Sequence, residues 1–303
     1  YIACEFAQIF AGLGSQVCLA YRGDTVLRGF DDDIRAHIHE ELKKSGVRVI
    51  THANTTKIEE IEGGRRRVHL DTGDVIEADV VMHAVGRVAK TEGLNLDVAG
   101  VETAKNGAVK VDAHSRTTAD HIYAVGDMTD RIQLTPVAIR EGAAFAETVF
   151  GDNPTAFDHA DVASAVFTQP PVGSVGLTEH EARQKHGKID IYKSVFRPMK
   201  NVLANSDSRM IIKLVVKADD QRVLGVHMAG DDVTAQPVLG AQGLFQVHPA
   251  ADLELREGGA RQGLAAQAQG AHIEPFAVPG SGRVQVPAQE GQEFVGGGVG
   301  QDS

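Results

Sequence analysis

Hydrophobic periodicity predicts an α/β chain: a doubly wound unit first, then an α+β domain built on an antiparallel sheet. Two observations carry this. Helical and strand periods alternate through the first 88 residues, and from about Asp161 short strands follow one another around one helix. A third bounds the whole: 303 residues with 42% hydrophobic content suit about two globular domains.

The elements follow in order. Ile2, Phe6, Ile9, Phe10 and Leu13 recur at helical spacing, so Tyr1–Leu13 reads as a helix ended by Gly12 and Gly14. Gln16–Tyr21 is a short apolar strand. Asp31 is placed to cap a helix over Asp32–Ser45, which Gly46 closes. Val47–Ile50 is the next strand, and strands around Ile58 and Val68 flank a Gly63-Gly64 hairpin turn. Val80–Ala84 is a continuous apolar run, the pattern of a central parallel strand. This alternation is that of one doubly wound nucleotide-binding unit with a small antiparallel insert.

A second stretch, from about Val88 to Ala160, holds a turn at Gly107, a strand at His121–Val125, and Gly126-Asp127. A helix follows, with Pro136 in its first turn and its end near Phe150. The third stretch places strands near Ala165–Phe167, Ile189–Phe196, Met210–Val216 and Val223–His227 around a helix near Thr178–His186. From about Pro237 the chain is rich in Gly, Ala and Gln, loses both periods and runs into Gly296-Gly297-Gly298-Val299-Gly300, so unpacked chain is expected there. The divisions are thus 1–88, 89–160, 161–236 and 237–303, with no internal repeat.

Composition excludes several classes. A formal net charge of −11 disfavours a general nucleic-acid binder, which needs a basic face against phosphates. No apolar run approaches the ~18 residues that span a membrane. Cys4 and Cys18 are not spaced as a redox or metal pair, and read as two buried, reduced thiols. Sparse cysteine and the absence of an export signal fit a reducing cytoplasm. His37 and His39 lie two apart on a helix, on different faces, so no metal site is expected from them. Arg65-Arg66-Arg67 reads as a solvated hairpin tip. Tyr1 is not a start methionine, which suggests that the sequence begins inside a longer parent.

The chemistry-bearing candidates are few. Arg22 and Arg28 follow the second predicted element of the nucleotide unit, at the strand end that faces an adenosine ribose. An NAD site usually places a carboxylate there; a 2′-phosphate needs cations, and the planar guanidinium bonds phosphate oxygens in pairs. Ala84-Val85-Gly86-Arg87 ends an apolar run, where Gly lets backbone approach a ligand. Gly126-Asp127 ends another, and its carboxylate could bond a sugar hydroxyl. Leu134-Thr135-Pro136 opens a helix whose first N–H groups are free for an acceptor. Spacing alone leaves the plainer alternatives open: two solvated arginines, a strand-ending turn and a turn aspartate.

Taken together and in order, these segments resemble the pyridine-nucleotide flavoprotein disulfide reductases, and within them the glutathione reductases of plants and bacteria. The resemblance runs from Tyr1 to about Asp232. It rests on Tyr1-Ile2-Ala3-Cys4-Glu5-Phe6-Ala7, Tyr21-Arg22 through Arg28-Gly29-Phe30-Asp31, Ala84–Arg87, Tyr123–Arg131, Leu134–Ala138, Val166–Gly173, Val175–Glu179, Phe196–Met199 and Val223–Met228. It implies a Rossmann-like doubly wound nucleotide-binding domain, the C-terminal part of an FAD-binding or central domain, and an α+β dimerisation domain of a homodimer. It implies NADPH and FAD as cofactors and glutathione disulfide as substrate, with electrons passing through a cysteine pair. Trypanothione, mercuric and dihydrolipoamide reductases are the alternatives within the class, and a non-catalytic nucleotide-binding module the alternative outside it.

By resemblance, Tyr1 and Ile2 lie at the nicotinamide pocket, Tyr1 covering it, with Glu5 beside the nicotinamide. Arg22 and Arg28 hold the 2′-phosphate, and Gly86 and Arg87 lie along the NADPH site. Gly126 and Asp127 meet the FAD ribityl chain, Leu134 and Thr135 the flavin edge, and Phe167 begins the interface domain near the nicotinamide. The departures imply that no catalytic residue is present: the redox cysteines, the preceding FAD domain and the usual catalytic histidine are not found, and His248-Pro249-Ala250 only imitates the last. The chain alone is therefore expected to be inactive and its tail aberrant. Ala143 stands where some members carry an arginine that contacts glutathione.

Overall fold

The computed structural model describes residues 1–231 and residue 233. All of them belong to one compact unit, Tyr1–His248. The expectations for 237–303, His248-Pro249-Ala250 among them, lie outside the described residues.

Helix α1, Ile2–Gly12, turns Cys4, Ala7 and Gln8 inward and leaves Phe6, Ile9 and Phe10 exposed. Strand β1, Cys18–Ala20, pairs in parallel with β2, Arg48–Ile50, across helix α2, Asp32–Lys44. Ile34, Ile38 and Leu42 recur at helical spacing and are all fully buried, which fixes the inner face of α2. Asp31 caps α2 as the sequence predicts, accepting from Asp33 N–H at 3.1 Å. A three-stranded antiparallel meander follows: β3, Thr55–Glu60; β4, Arg66–Leu70; and β5, Val75–Ala78. Gly63 and Gly64 make its first turn at φ 78° and 76°, a region that favours glycine.

Several sequence expectations need correction here. Val80–Ala84 is not a strand among the described residues, and Val80 is 82% exposed. An apolar run forms a central strand only with a ladder on each side, and β1 and β2 are not hydrogen-bonded to it. His121–Val125 is not a strand either. Tyr123 makes one isolated bridge to Arg116, while Ala124 N–H bonds Ser115 and the Ile122 carbonyl bonds Thr117 N–H, so local turns take the backbone groups. Arg65, Arg66 and Arg67 follow the hairpin turn with solvent-exposed side chains, as expected, and there Arg65 and Arg67 pair with Glu77 and Arg66 with Glu60. Cys4 is buried as expected, but Cys18 is only half-buried. The strand β5 went unread because its residues, Val75-Ile76-Glu77-Ala78, are few and half-exposed.

Helix α3, Thr135–Phe150, begins with Pro136 in its first turn. Beyond it lies a five-stranded antiparallel sheet: β6, Ser164–Val166; β7, Val172–Gly176; β8, Ile189–Phe196; β9, Met210–Lys217; and β10, Val223–Ala229. Its spatial order is β6-β7-β10-β9-β8. Helix α4, Glu179–His186, starts on a capping box in which Thr178 and Glu181 satisfy each other's backbone N–H groups. Helix α5, Met199–Leu203, is short and was not predicted. One core joins the first unit to this sheet: Cys4, Ala7, Leu19, Ile34, Ile38 and Leu42 pack with Val166, Val172, Ile211 and Ala229.

A buried ion cluster crosses the same junction. Lys213 on β9 is 1% exposed and donates to Asp31 at 2.8 Å, Asp33 at 2.6 Å and Glu179 at 2.8 Å. Burial by itself works against the ammonium, but the three carboxylates outweigh it and hold the Lys213 pKa above the usual range.

Candidate nucleotide-binding site

The segment from Tyr21 to Phe30 joins β1 to α2 and carries both candidate arginines. Tyr21 N–H bonds the Ile50 carbonyl at 2.8 Å, and the Gly23 and Tyr21 carbonyls accept from His52 and Ala53 N–H at 3.0 Å. Val26 and Leu27 are buried and anchor the middle of the loop. Leu27 at φ 57° and Gly29 at φ 95° turn the chain so that Arg28 stands between two left-handed residues. Arg22 and Arg28 are both exposed, and among the described residues neither guanidinium makes an ion pair or hydrogen bond. Two uncommitted cations on one loop fit a doubly charged phosphate ester.

Around this loop lies a second set of contacts. Arg35 of α2 donates through Nε to the Val26 carbonyl at 3.0 Å and through Nη2 to the Thr25 carbonyl at 2.7 Å. Its Nη2 also reaches Asp24 at 3.1 Å and its Nη1 reaches Asp32 at 2.7 Å. The sequence reading missed Arg35; nothing in the spacing distinguishes it from a surface arginine on an acidic helix.

The expected nicotinamide end is partly assembled. Glu5 on α1 accepts the Phe167 backbone N–H at 2.8 Å, so two residues 162 apart in sequence meet. Gln8, one turn on, bonds both the N–H and the carbonyl of Gln169. Tyr1 and Phe167 present half- to largely exposed rings, and Ile2 is half-buried. The buried Cys4 thiol is pushed up to about 11 by burial, which keeps it protonated and unreactive at neutral pH.

The expected flavin end is organised by Glu141 of α3, a residue sequence reasoning also missed. Glu141 is 1% exposed. It accepts the Gly126 N–H at 2.6 Å, His159 Nε2 at 2.6 Å and Arg131 at 2.9 Å. Gly126 sits at φ 73°, and a Cβ there would lie 3.0 Å from that of Ala138. Asp127 follows, with Oδ2 held by Arg87 at 2.5 Å and Oδ1 unbonded among the described residues. Thus two residues expected against different cofactors are brought together. Gly86 at φ 135° precedes Arg87 with open space where a side chain would stand. Leu134 flanks the helix start, and Thr135 N–H has no acceptor among the described residues. An open carboxylate oxygen and a free helix N–H fit a polyhydroxyl chain and a ring carbonyl. No group of three metal-ligating side chains occurs among the described residues, and none of their helices is long and apolar enough to cross a membrane.

An α/β unit whose β1–α2 loop carries two exposed, uncommitted arginines, packed on an antiparallel five-stranded sheet, points to a class. The profile described as pyridine nucleotide-disulphide oxidoreductase matches residues 1–142, and that family's dimerisation domain matches residues 162–244. The chain belongs to the pyridine nucleotide-disulphide oxidoreductase family. Among its relatives, glutathione reductase of Burkholderia cepacia is 49% identical over 232 residues, 77% of this chain and 51% of that protein. Trypanothione reductase of Leishmania donovani is 48% identical over 236 residues, 76% of this chain and 48% of that protein. Among solved structures, the HOCl-induced flavoprotein disulfide reductase RclA from Escherichia coli superposes with TM-score 0.74 at 28% identity, covering 81% of this chain and 56% of that one. The chain therefore spans about half the length of the curated relatives it matches. Its fold class is that expected from sequence, a Rossmann-like α/β domain with a dimerisation domain, and its family uses a flavin and a pyridine nucleotide.

Proposed function

We propose that this chain supplies the NADPH site and dimer interface of a reductase that passes electrons from NADPH through FAD to glutathione disulfide. The observation that carries the nucleotide choice is the pair Arg22 and Arg28, exposed and uncommitted on the loop after β1. Both would bond the 2′-phosphate, and NADH would leave them without a partner. Glu5, fixed through the Phe167 N–H, would border the nicotinamide together with Tyr1 and Ile2. The open Oδ1 of Asp127 would accept from a ribityl hydroxyl, and the Thr135 N–H would donate to a flavin carbonyl. Bound FAD and a cysteine pair would supply the electron relay. We read the working form as a cytoplasmic homodimer, which the dimerisation-domain match over 162–244 supports.

Glutathione disulfide is favoured by the 49% identity to a glutathione reductase; the 48% identity to a trypanothione reductase supports trypanothione disulfide as the second reading. The test is NADPH oxidation by the reductase that carries this sequence, measured with each disulfide and with NADH in place of NADPH. Turnover with glutathione disulfide, at a kcat/KM for NADPH at least about tenfold that for NADH, is expected. Faster turnover with trypanothione disulfide would transfer the substrate assignment, and equal use of NADH would sink the nucleotide assignment.

A further inference from the structure

The loop that carries Arg22 and Arg28 is anchored by the buried Val26 and Leu27 side chains, but its backbone has few internal hydrogen bonds at residues 24–26. Thr25 and Val26 offer carbonyls that accept no backbone N–H among the described residues. A backbone stretch without internal hydrogen bonds can shift locally, and each shift moves the two guanidinium groups apart or together. Fixing two cations against one phosphate therefore needs something that holds the loop from outside.

Arg35 meets that need. Its side chain is 17% exposed and lies under the loop, with Nε on the Val26 carbonyl and Nη2 on the Thr25 carbonyl and Asp24. The remaining nitrogen, Nη1, is tied to Asp32 on its own helix. The Asp24 side chain in turn accepts the Thr25 N–H at 2.7 Å. A planar fork with five donors can bridge helix and loop this way, whereas a lysine ammonium cannot keep the same directions. The base is itself fixed, since Asp31 at the helix cap accepts from Lys213 and from Glu179 N–H at 3.0 Å.

We propose that Arg35 is a positioning residue for nucleotide recognition: it clamps the Asp24–Val26 backbone so that Arg22 and Arg28 converge on one phosphate monoester. Arg35 does not touch the phosphate; it acts through the two arginines, and the inference rests on their assignment to the 2′-phosphate.

The experiment is calorimetric titration of the full chain with adenosine 2′,5′-bisphosphate, and with adenosine 5′-monophosphate as the probe lacking the 2′-phosphate. The variants are Arg35→Ala, Arg35→Lys, Arg22→Met/Arg28→Met, and the triple variant, each checked for an unchanged circular dichroism spectrum. Arg35→Ala should weaken the bisphosphate by roughly tenfold, the scale of one charge-assisted hydrogen bond, and leave the monophosphate within about twofold. Arg35→Lys should not restore the loss. In the Arg22→Met/Arg28→Met background, Arg35→Ala should change bisphosphate binding by less than about twofold, because coupled residues are non-additive. Hydrogen exchange at residues 24–28 should accelerate in Arg35→Ala, an effect that Arg22→Met/Arg28→Met does not produce. If the wild-type chain does not prefer the bisphosphate, the reading of the site is wrong and this inference goes with it. If the preference exists and depends on Arg22 and Arg28 but survives Arg35→Ala, this inference alone is overturned. Loss in Arg35→Ala that is equally large in the background lacking both arginines would mean a general loss of fold, and would also overturn it.

Discussion

Lys213→Met is expected to destabilise the described unit severely. In the folded chain Lys213 and Asp31 are each 1% exposed and 2.8 Å apart, so removing the ammonium leaves the Asp31 carboxylate buried. Asp31 keeps two backbone donors, Asp33 N–H and Glu179 N–H, but loses the one cation that pairs with it among the described residues. Asp33 and Glu179 are less affected: both are about 30% exposed, and Lys193 and Arg183 still pair with them. Breaking a buried pair from one side costs about 3–5 kcal/mol, so that figure applies mainly to the Asp31 contact. Lys193→Met, which removes a 45%-exposed ammonium from the same Asp33, should cost under about 1 kcal/mol. The assay is urea unfolding at neutral pH, comparing midpoints and slopes of the two variants with wild type. The raised Lys213 pKa fixes the pH window. Its stabilisation is fully present below the unfolded lysine value of about 10.4 and disappears only as pH rises through the higher folded value. A Lys213→Met loss no greater than that of Lys193→Met would mean that the buried Asp31 carboxylate does not depend on this ammonium.

Three further outcomes are expected. Arg22→Met and Arg28→Met should each cost NADPH binding about 1.5–3 kcal/mol while leaving NADH binding unchanged; equal losses for both nucleotides, by fluorescence titration, would contradict the assignment. His227 is fully buried between Ser174 Oγ at 2.6 Å and the Leu177 carbonyl at 3.0 Å, and burial holds its pKa below the usual value, so stability should fall as pH drops below about 6.5, at up to about 1.4 kcal/mol per pH unit. His227→Gln should flatten that slope in urea midpoints taken from pH 7.5 to 5, and an unchanged slope would assign the effect to His37 and His39, whose pKa values burial also lowers. Glu141→Leu removes the acceptor of Gly126 N–H and the partner of Arg131, so it should cost about 3 kcal/mol and speed exchange of the Gly126 amide; full protection of that amide would be inconsistent with the contact.

Much of this was legible in the sequence because the signals are local. The inner face of α2 is written in Ile34, Ile38 and Leu42, its start in Asp31, and the first meander turn in Gly63-Gly64. The two segments expected as strands that form none share a cause. Val80–Ala84 and His121–Val125 are apolar enough for strands, but a strand is defined by neighbours, and neighbours are not encoded in a five-residue window. The candidate site divides in the same way. Arg22, Arg28, Glu5 and Asp127 are recognisable by position within a motif. Arg35, Glu141 and Lys213 act through contacts 9 to 182 residues away, and single-sequence spacing carries no trace of those.

Whether this loop receives a 2′-phosphate is read directly by phosphorus-31 NMR of NADP⁺ titrated with the chain. A free phosphate monoester loses its second proton near pH 6. Held between Arg22 and Arg28, the 2′-phosphate should show a shifted resonance and titrate well below that value, and Arg22→Met/Arg28→Met should return it to the free position. A 2′-phosphate signal that keeps its free shift and titration while the pyrophosphate signals move would mean that Arg22 and Arg28 do not hold that group.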